Sequence, residues 1–268
     1  MRCYRRARSA EPAFTLVELL VVIAIVAILS SLLLPAITRS KGLGNLTKCA
    51  SNERQMGIGM AGYVNDNQLF PGNNMQPGVS LTVALTNIAL LTWFDALRPY
   101  TGQARGAPLY RCPGLKTRGW IPHSYAYNQN GAANLSGLWE SGHLGLGECQ
   151  DAQKWFQVAE YRVVNPSQMI ALGDGYDERG VGTAGYSTVL TWMQGFQWGT
   201  DVDAQRARMA TRQRHTGRFN VLFVDGHVEK LKPSRLFGQN DSALRRLNND
   251  FQSHRELINW SLYPKVID

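Results

Sequence analysis

The feature that most constrains this chain is an uninterrupted apolar run close to its N-terminus. Residues 14–34, FTLVELLVVIAIVAILSSLLL, contain one charged residue, Glu18, and neither Gly nor Pro. As an α-helix at ~1.5 Å per residue, the run extends about 31 Å, which matches a hydrocarbon core roughly 30 Å thick. Arginines at positions 2, 5, 6 and 8 precede it, and by the positive-inside rule they favour a cytoplasmic N-terminus. We therefore expect a membrane-spanning helix.

The apolar run and its carboxylate each have an alternative interpretation. A secretory signal has an apolar core of only ~7–15 residues followed by a small-residue cleavage site, whereas this run is longer and no clear site of that kind follows it before Pro35. A carboxylate inside a bilayer is unfavourable by a few kcal/mol and usually has a partner. Glu18 is therefore expected to be paired, the alternative being hydration near the headgroups.

Residues 13–19, AFTLVEL, resemble the processing motif of type IV pilins and type II secretion pseudopilins. The resemblance implies that a prepilin peptidase cuts between Ala13 and Phe14 and that the new amino group of Phe14 is methylated. It also implies that Glu18 pairs with the N-terminal amine of a neighbouring subunit. The family usually carries Gly before the cut, where this chain has Ala13; because Ala is the smallest substitution, processing is still expected.

The C-terminal part carries a second resemblance. His215, nine further residues and then Asp225-Gly226 are similar to the signature of a prepilin-processing-associated domain, and KCASNERQMGIGMAGYVND, YRCPG and NPSQMIALGD fit the same group. The expected fold is pilin-like α+β. A long N-terminal helix, with a transmembrane first half, is expected to pack on an antiparallel β-sheet head.

The expected organisation has four parts. They are a leader (1–13), a transmembrane and assembly helix (14–36), a continuation of that helix into the head (37–66), and a globular α+β head (67–268). Apolar residues recur every three to four positions from Leu46 to Val64, which indicates one buried helical face. Pro35, Gly42 and Gly44 predict a soft joint over residues 35–44.

Several head elements follow from local pattern. The residues of the hairpin 218–231 are β-branched and aromatic around Asp225-Gly226, which predicts a two-residue turn of the primed type. The other predictions are a short helix in WFDALRPY, extended pieces in YRCPG and SYAYN, strands at 169–175 and 187–193, a long surface loop at 128–147 and a helix at 242–258.

Charge and cysteine usage limit the possible partners. The leader carries four Arg and one Glu, so its removal lowers the formal charge from +8 to about +5. The remaining arginines at 206–218 favour a solvated loop over an anionic partner, and no nucleic acid is expected. A disulfide between Cys49 and Cys112 is predicted, although connectivity does not follow from sequence. The chain has no CxxC pair, so no zinc site is expected.

The head contains two candidate sites. Arg218 to Val224 alone would span roughly 20 Å as a strand, so His215 and Asp225 are not expected to share a metal, and structural roles are favoured for both and for Gly226. Asp174, Asp177 and Glu178 are a weaker candidate for calcium, with a solvated turn favoured. No cofactor is expected, and GxSxG, GxxxxGK[ST] and HExxH motifs are absent from the sequence.

The expected function is structural and non-enzymatic: a pseudopilin or pilin-like subunit, minor rather than major, of a type II secretion or type IV pilus-like filament. Its partners would be other such subunits, the prepilin peptidase and methylase, and the bacterial inner membrane, with the head in the periplasm. One alternative is a membrane-anchored ligand-binding module that uses the leader only for export. The other is a metal-dependent ectoenzyme built on His215, Asp225 and His227.

Overall fold

The computed structural model describes most of the N-terminal half of the chain and selected segments of the rest. The described residues are 15–72, 93–104, 106–114, 124–128, 131, 144–147, 149–151, 154–174, 215, 217–236, 238 and 240–257. The predicted strand at 187–193 lies outside them. The chain divides into two compact units, residues 1–41 and 42–268, and each is described separately.

Helix α1, Leu16–Asn67, is a single helix of 52 residues with Pro35 inside it. The boundary between the two units, at Lys41 and Gly42, falls within the joint predicted from Pro and Gly. The helix does not end at Pro35 but continues through it to Asn67. It ends where predicted, after residues 65–67, and Gln68 then adopts a left-handed φ of 59°.

The α+β fold is confirmed, with a four-stranded antiparallel sheet. In spatial order, its strands are β1 (Tyr125–Tyr127), β4 (Ile170–Asp174), β5 (Phe219–Phe223) and β6 (Val228–Leu231). A separate two-stranded sheet pairs β2 (Cys149–Asp151) with β3 (Lys154–Phe156). Strands β1, β4 and β5 are buried along their whole lengths, so they form the centre of the head.

Among the described residues, the head also contains short helices. They are α2 (Trp93–Ala96), α3 (Arg98–Thr101), α4 (Pro233–Leu236) and α5 (Asp241–Arg245), with 3₁₀ turns at Pro108–Tyr110, Glu160–Arg162 and Arg255–Leu257. The helix predicted in WFDALRPY is confirmed as α2 and α3, and the extended SYAYN segment as β1. The extended piece predicted in YRCPG is found only in part: Tyr110 ends a 3₁₀ turn, and Arg111 beyond it is extended.

The second half of α1 buries the predicted face. Leu46, Cys49, Met56, Met60 and Val64 are 0–6% exposed. The helix lies close to the sheet at Gly57, where a Cβ atom would come within 2.8 Å of Leu222 Cδ1 on β5. The core beneath it is aromatic, and Trp93 stacks on Tyr127 with ring centroids 5.8 Å apart. The amphipathic spacing therefore identified the packing face correctly.

The hairpin is confirmed, but its turn is not of the predicted type. Leu222 pairs with Val228, and Phe223 N–H donates to His227 O, so the loop has three residues, Val224, Asp225 and Gly226. Gly226 N–H donates to Phe223 O, and Gly226 alone of the three has a positive φ, 91°. This is a type I turn followed by a left-handed glycine, whereas a two-residue primed turn would need positive φ at Asp225 as well.

The continuous helix predicted at 242–258 is wrong. Helix α5 is capped by Asn240, whose side-chain oxygen accepts from Ala243 N–H, but it stops at Arg245. The next backbone groups bond to other segments: Arg246 O accepts from Ile170 N–H, and Asn249 N–H donates to Leu144 O. These tertiary hydrogen bonds replace the helical ones and end the helix. Phe251 and His254 then adopt left-handed φ values of 55° and 46°.

The prediction of a surface loop at 128–147 is wrong for the part that the structure describes. Asn128 is 1% exposed, and Leu146 is fully buried. The Asn128 amide donates to Ile170 O at 2.7 Å and Leu247 O at 2.8 Å, and its oxygen accepts from Gly131 N–H. One buried side chain thus satisfies backbone groups of β4, of the segment after α5 and of the turn that follows Asn128.

The C-terminal segment contains a partly buried histidine between two carboxylates. His254 Nε2 lies 2.7 Å from Asp250 Oδ2, and its Nδ1 lies 3.1 Å from Glu256 Oε1. Partial burial opposes the imidazolium form, but the hydrogen bonds that it donates to Asp250 and Glu256 together outweigh this effect. The pKa of His254 is therefore raised above its ordinary value of 6.5.

Candidate functional site

The N-terminal half of α1 presents an apolar surface on every side. The large apolar side chains from Leu16 to Ile37 are 49–80% exposed within the chain. By length and composition this helix is able to cross a membrane. Leaving some fifteen such side chains in water would be unfavourable by on the order of 20 kcal/mol or more. The segment therefore requires a bilayer or other apolar helices around it.

Thr15 and Glu18 form a capping box at the start of α1. Thr15 N–H donates to Glu18 Oε2 at 2.8 Å, and Glu18 N–H donates to Thr15 Oγ1 at 3.3 Å. The Thr15 hydroxyl also donates to Glu18 Oε2, at 2.7 Å. This reciprocal pattern satisfies N–H groups that a helix start leaves open. The T-x-x-E spacing at 15–18 indicates it, and the sequence reasoning overlooked this signal.

The two predicted processing residues, Ala13 and Phe14, lie outside the described residues. The first described residue is Thr15, one position beyond Phe14. The pairing of Glu18 with a neighbouring subunit stays a prediction. Within the chain, the carboxylate of Glu18 is placed at the helix start by Thr15.

A second constellation lies inside the head. Cys49, Cys112, Asp174 and His215 each present one ligand-type atom, and these four atoms lie within 4.8 Å of one another. The residues come from four parts of the fold: α1, the segment after the Pro108–Tyr110 turn, the last position of β4 and the segment before β5. All four are 0–3% exposed. The sulfurs of Cys49 and Cys112 are joined as a disulfide, with Cα atoms 5.3 Å apart.

His215 contacts both a cysteine sulfur and a carboxylate of this cluster. Its Nε2 lies 3.1 Å from Cys112 Sγ and 3.4 Å from Asp174 Oδ2. The structure therefore places His215 in the interior, within hydrogen-bonding distance of both side chains. Its carboxylate neighbour is Asp174, which no local motif pairs with it.

Neighbouring polar groups hold the cluster in position. Asn220 N–H donates to Asp174 Oδ2 at 2.9 Å, and the Asn220 amide donates to Leu46 O on α1 at 3.2 Å. On the other side, Tyr125 OH donates to Cys49 Sγ at 3.5 Å. Asn52 in turn donates to Tyr125 OH and to Arg111 O, both at 3.2 Å. Groups from α1, β1 and β5 thus fix the side chains of the cluster from outside.

Asp225 belongs to the hairpin and not to this cluster. It accepts from His227 N–H at 3.1 Å and contacts His227 Nδ1, and the His227 ring stacks on Phe223 with centroids 4.3 Å apart. Both side chains are more than one-third exposed. His215 precedes β5 and Asp225 follows it, so the strand separates them as the sequence argument required. The three residues of the ectoenzyme alternative do not form one site.

The acidic group at 174–178 is only partly described. Asp174 is fully buried, so a solvated turn is wrong for this residue. Its carboxylate contacts an imidazole and a backbone N–H, whereas calcium prefers a shell of oxygen ligands. Asp177 and Glu178 lie outside the described residues. In the arginine cluster, Arg218 is exposed, and positions 206–214 lie outside the described residues as well.

Comparison with known proteins agrees with the N-terminal features. Residues 8–34 match the family model of the prokaryotic N-terminal methylation motif. Comparisons with curated proteins and with solved structures give no match. The matched segment includes Ala13, Phe14 and Glu18, and together with the long apolar helix it fits a membrane-anchored, type IV pilin-like protein processed by a prepilin peptidase.

Proposed function

We propose that this chain is a filament subunit of the pseudopilin or pilin type. After cleavage between Ala13 and Phe14 and methylation of Phe14, the first half of α1 holds the protein in the inner membrane and then joins the core of a type II secretion or type IV pilus-like filament. The head projects into the periplasm. The observation that carries the proposal is the exposed apolar half of α1 with one carboxylate near its start.

The membrane and the filament core would both keep the apolar side chains of this segment out of water. A bilayer and a bundle of identical helices each remove the apolar side chains from water. Glu18 distinguishes them, because a carboxylate in an apolar bundle needs a positively charged partner. The free amine that cleavage creates at Phe14 of a neighbouring subunit is such a partner. A buried pair of this kind fixes the register between subunits.

The first experiment determines the mature N-terminus by intact mass and N-terminal peptide mapping, in cells with and without the prepilin peptidase. We expect a chain that begins at N-methylated Phe14, and the uncut chain when the peptidase is missing. A cut after the apolar run, or an uncut chain in both strains, would contradict the proposal.

The second experiment separates the charge of Glu18 from its capping role. Glu18→Gln removes the charge but keeps the capping box, since Gln serves in that motif as well as Glu does. Glu160→Gln, at an exposed position of the head, is the matched control. We expect both variants to be processed, but only Glu18→Gln to be lost from the filament fraction sheared from cells.

An unchanged amount of Glu18→Gln in that fraction would remove the filament function. It would favour the membrane-anchored ligand-binding module, in which the helix serves only for export and attachment.

A further inference from the structure

The buried cluster of Cys49, Cys112, Asp174 and His215 has a composition that the filament function does not require. We propose that, when the two cysteines are reduced, these four residues form a zinc site. The site would join the second half of α1 to the sheet of the head. This proposal does not depend on the filament function.

The donor set is that of a zinc site. Two thiolates, one imidazole nitrogen and one carboxylate oxygen give four ligands, and structural zinc sites are four-coordinate with Cys, His and Asp or Glu as ligands. Thiolates favour zinc over magnesium, calcium or manganese. Two thiolates and a carboxylate carry a formal charge of −3, so Zn²⁺ leaves a net −1 on the site. Burial of three such charges without a cation would be strongly unfavourable.

The geometry is close to that of a tetrahedral site. With Zn–S bonds of about 2.3 Å and Zn–N or Zn–O bonds of about 2.0–2.2 Å, the ligand atoms of a tetrahedron lie about 3.3–3.8 Å apart. His215 Nε2 is already 3.1 Å from Cys112 Sγ and 3.4 Å from Asp174 Oδ2. The largest separation in the cluster is within 4.8 Å. Opening of the S–S bond and small side-chain rotations bring all four into range.

The groups around the cluster suit metal ligation. Carboxylate ligands in zinc sites are themselves hydrogen-bonded, and such outer contacts fix the ligand orientation. Asn220 N–H gives that contact to Asp174, and Tyr125 OH gives one to Cys49 Sγ. Burial of all four residues excludes water, so the site is closed and structural and has no open position for a substrate.

The disulfide and the zinc site exclude each other, because a metal binds the thiolate and not the disulfide sulfur. An added dithiol converts one form into the other. It supplies two electrons and two protons to the Cys49–Cys112 bond and itself becomes a cyclic disulfide. Zn²⁺ then binds the two thiols, which release two protons. Zinc bound in this way protects both sulfurs from reoxidation.

The test uses the full chain in detergent, with and without a dithiol, and Zn²⁺ or Co²⁺ as the added metal. Metal content is measured after gel filtration. Cobalt absorption reports thiolate coordination by its charge-transfer band and tetrahedral geometry by its visible bands. We expect one metal ion per reduced chain, none per oxidised chain, and no binding of Ca²⁺ or Mg²⁺ at the same concentration.

The variants assign the ligands. His215→Ala and Asp174→Asn should each weaken zinc binding by at least the ~10- to 100-fold that loss of an outer-shell partner causes. His227→Ala and Asp225→Asn are the matched controls, because both residues lie at the exposed turn. Cys149→Ser controls for the third cysteine of the processed chain and should leave the stoichiometry at one.

A measurement on the unmodified chain covers the case in which a ligand variant fails to fold. Zinc should protect Cys49 and Cys112, but not Cys149, from alkylation of the native reduced protein, as read by peptide mass. Reduced, folded protein that binds no zinc would overturn the proposal. So would zinc binding that His215→Ala leaves unchanged, or equal alkylation of all three cysteines with and without zinc.

Discussion

The close approach of α1 to β5 at Gly57 gives the sharpest test of the packing. A Cβ atom at Gly57 would lie 2.8 Å from Leu222 Cδ1 and 3.3 Å from its Cδ2, and Leu222 is itself fully buried. In Gly57→Ala, either the leucine moves within a filled core or the helix moves away from the sheet. Overpacking of this kind costs about 1–3 kcal/mol of the free energy of unfolding.

The same substitution also changes helix propensity, in the opposite direction. Ala is favoured over Gly in a helix interior by about 0.8–1.0 kcal/mol. Gly44 lies in the same helix and is exposed, and a Cβ atom added there would meet no other atom within 4 Å. Gly44→Ala therefore shows the propensity gain alone. The difference between the two variants isolates the packing contribution of about 1–3 kcal/mol.

The assay is thermal unfolding of the full chain in detergent, followed by near-UV circular dichroism of the aromatic core. At about 2–4 °C per kcal/mol for a head of this size, Gly57→Ala should unfold about 2–12 °C below Gly44→Ala. Gly44→Ala should unfold slightly above the unmodified protein. If the two variants had the same midpoint, the helix would not lie against Leu222 as described, and the reasoning would be refuted.

Three further predictions follow from contacts described above. Thr15→Ala should destabilise the first turn of α1 by about 0.5–2 kcal/mol, seen as faster amide exchange in the residues after it, while the mid-helix control Thr47→Ala should not. Asn128→Ala should lower the free energy of unfolding by about 2–4 kcal/mol, since it leaves buried carbonyl and amide groups without their partner; an effect below about 1 kcal/mol would contradict this. His254→Asn should destabilise the protein below pH 6.5 and have little effect well above it, because a raised folded pKa stabilises the protonated state and that contribution is lost as pH rises through it.

Amide exchange also provides the internal standard for the Thr15 variant. Exchange in residues 46–64 should be unchanged, because that part of α1 is held by the head.

For His254→Asn, the midpoint of unfolding is compared with that of the unmodified protein across pH. If the difference in unfolding midpoint between the two proteins were the same at acid and alkaline pH, Asp250 and Glu256 would not stabilise the imidazolium. Asn is used because it tolerates the left-handed backbone of this position.

Sequence pattern was sufficient for the elements whose signal is local. The apolar run, the spaced face of α1 from Leu46 to Val64, and the buried strand β4 each follow from periodicity or composition. The turn at Asp225-Gly226 was correctly located, but its residue pair does not distinguish a two-residue loop from the three-residue loop that forms. The predicted helix after Asn240 is too long, because the spacing of apolar residues does not reveal the tertiary hydrogen bonds that end the helix at Arg245.

The cluster in the head could not be predicted from the sequence for a related reason. Its four members stand at positions 49, 112, 174 and 215, with gaps of 41 to 63 residues, so no spacing rule applies to them. The expectation of no zinc site depends on the absence of a CxxC pair, and that criterion detects only ligands that share one turn. The pairing of His215 with Asp174 depends on the register of β1, β4 and β5, which a single sequence does not determine.

The wide spacing of the cluster has a consequence for biosynthesis. Cys49 leaves the ribosome 166 residues before His215. Most of the chain is therefore synthesised after Cys49 and before the last member of the cluster. Cys112 becomes available earlier, and the two cysteines are able to react with each other while Asp174 and His215 are still missing. The order in which the chain emerges thus allows the disulfide to form before the other two members of the cluster exist. A chain shortened before residue 215 would keep both sulfurs and lose the imidazole that contacts Cys112 and Asp174.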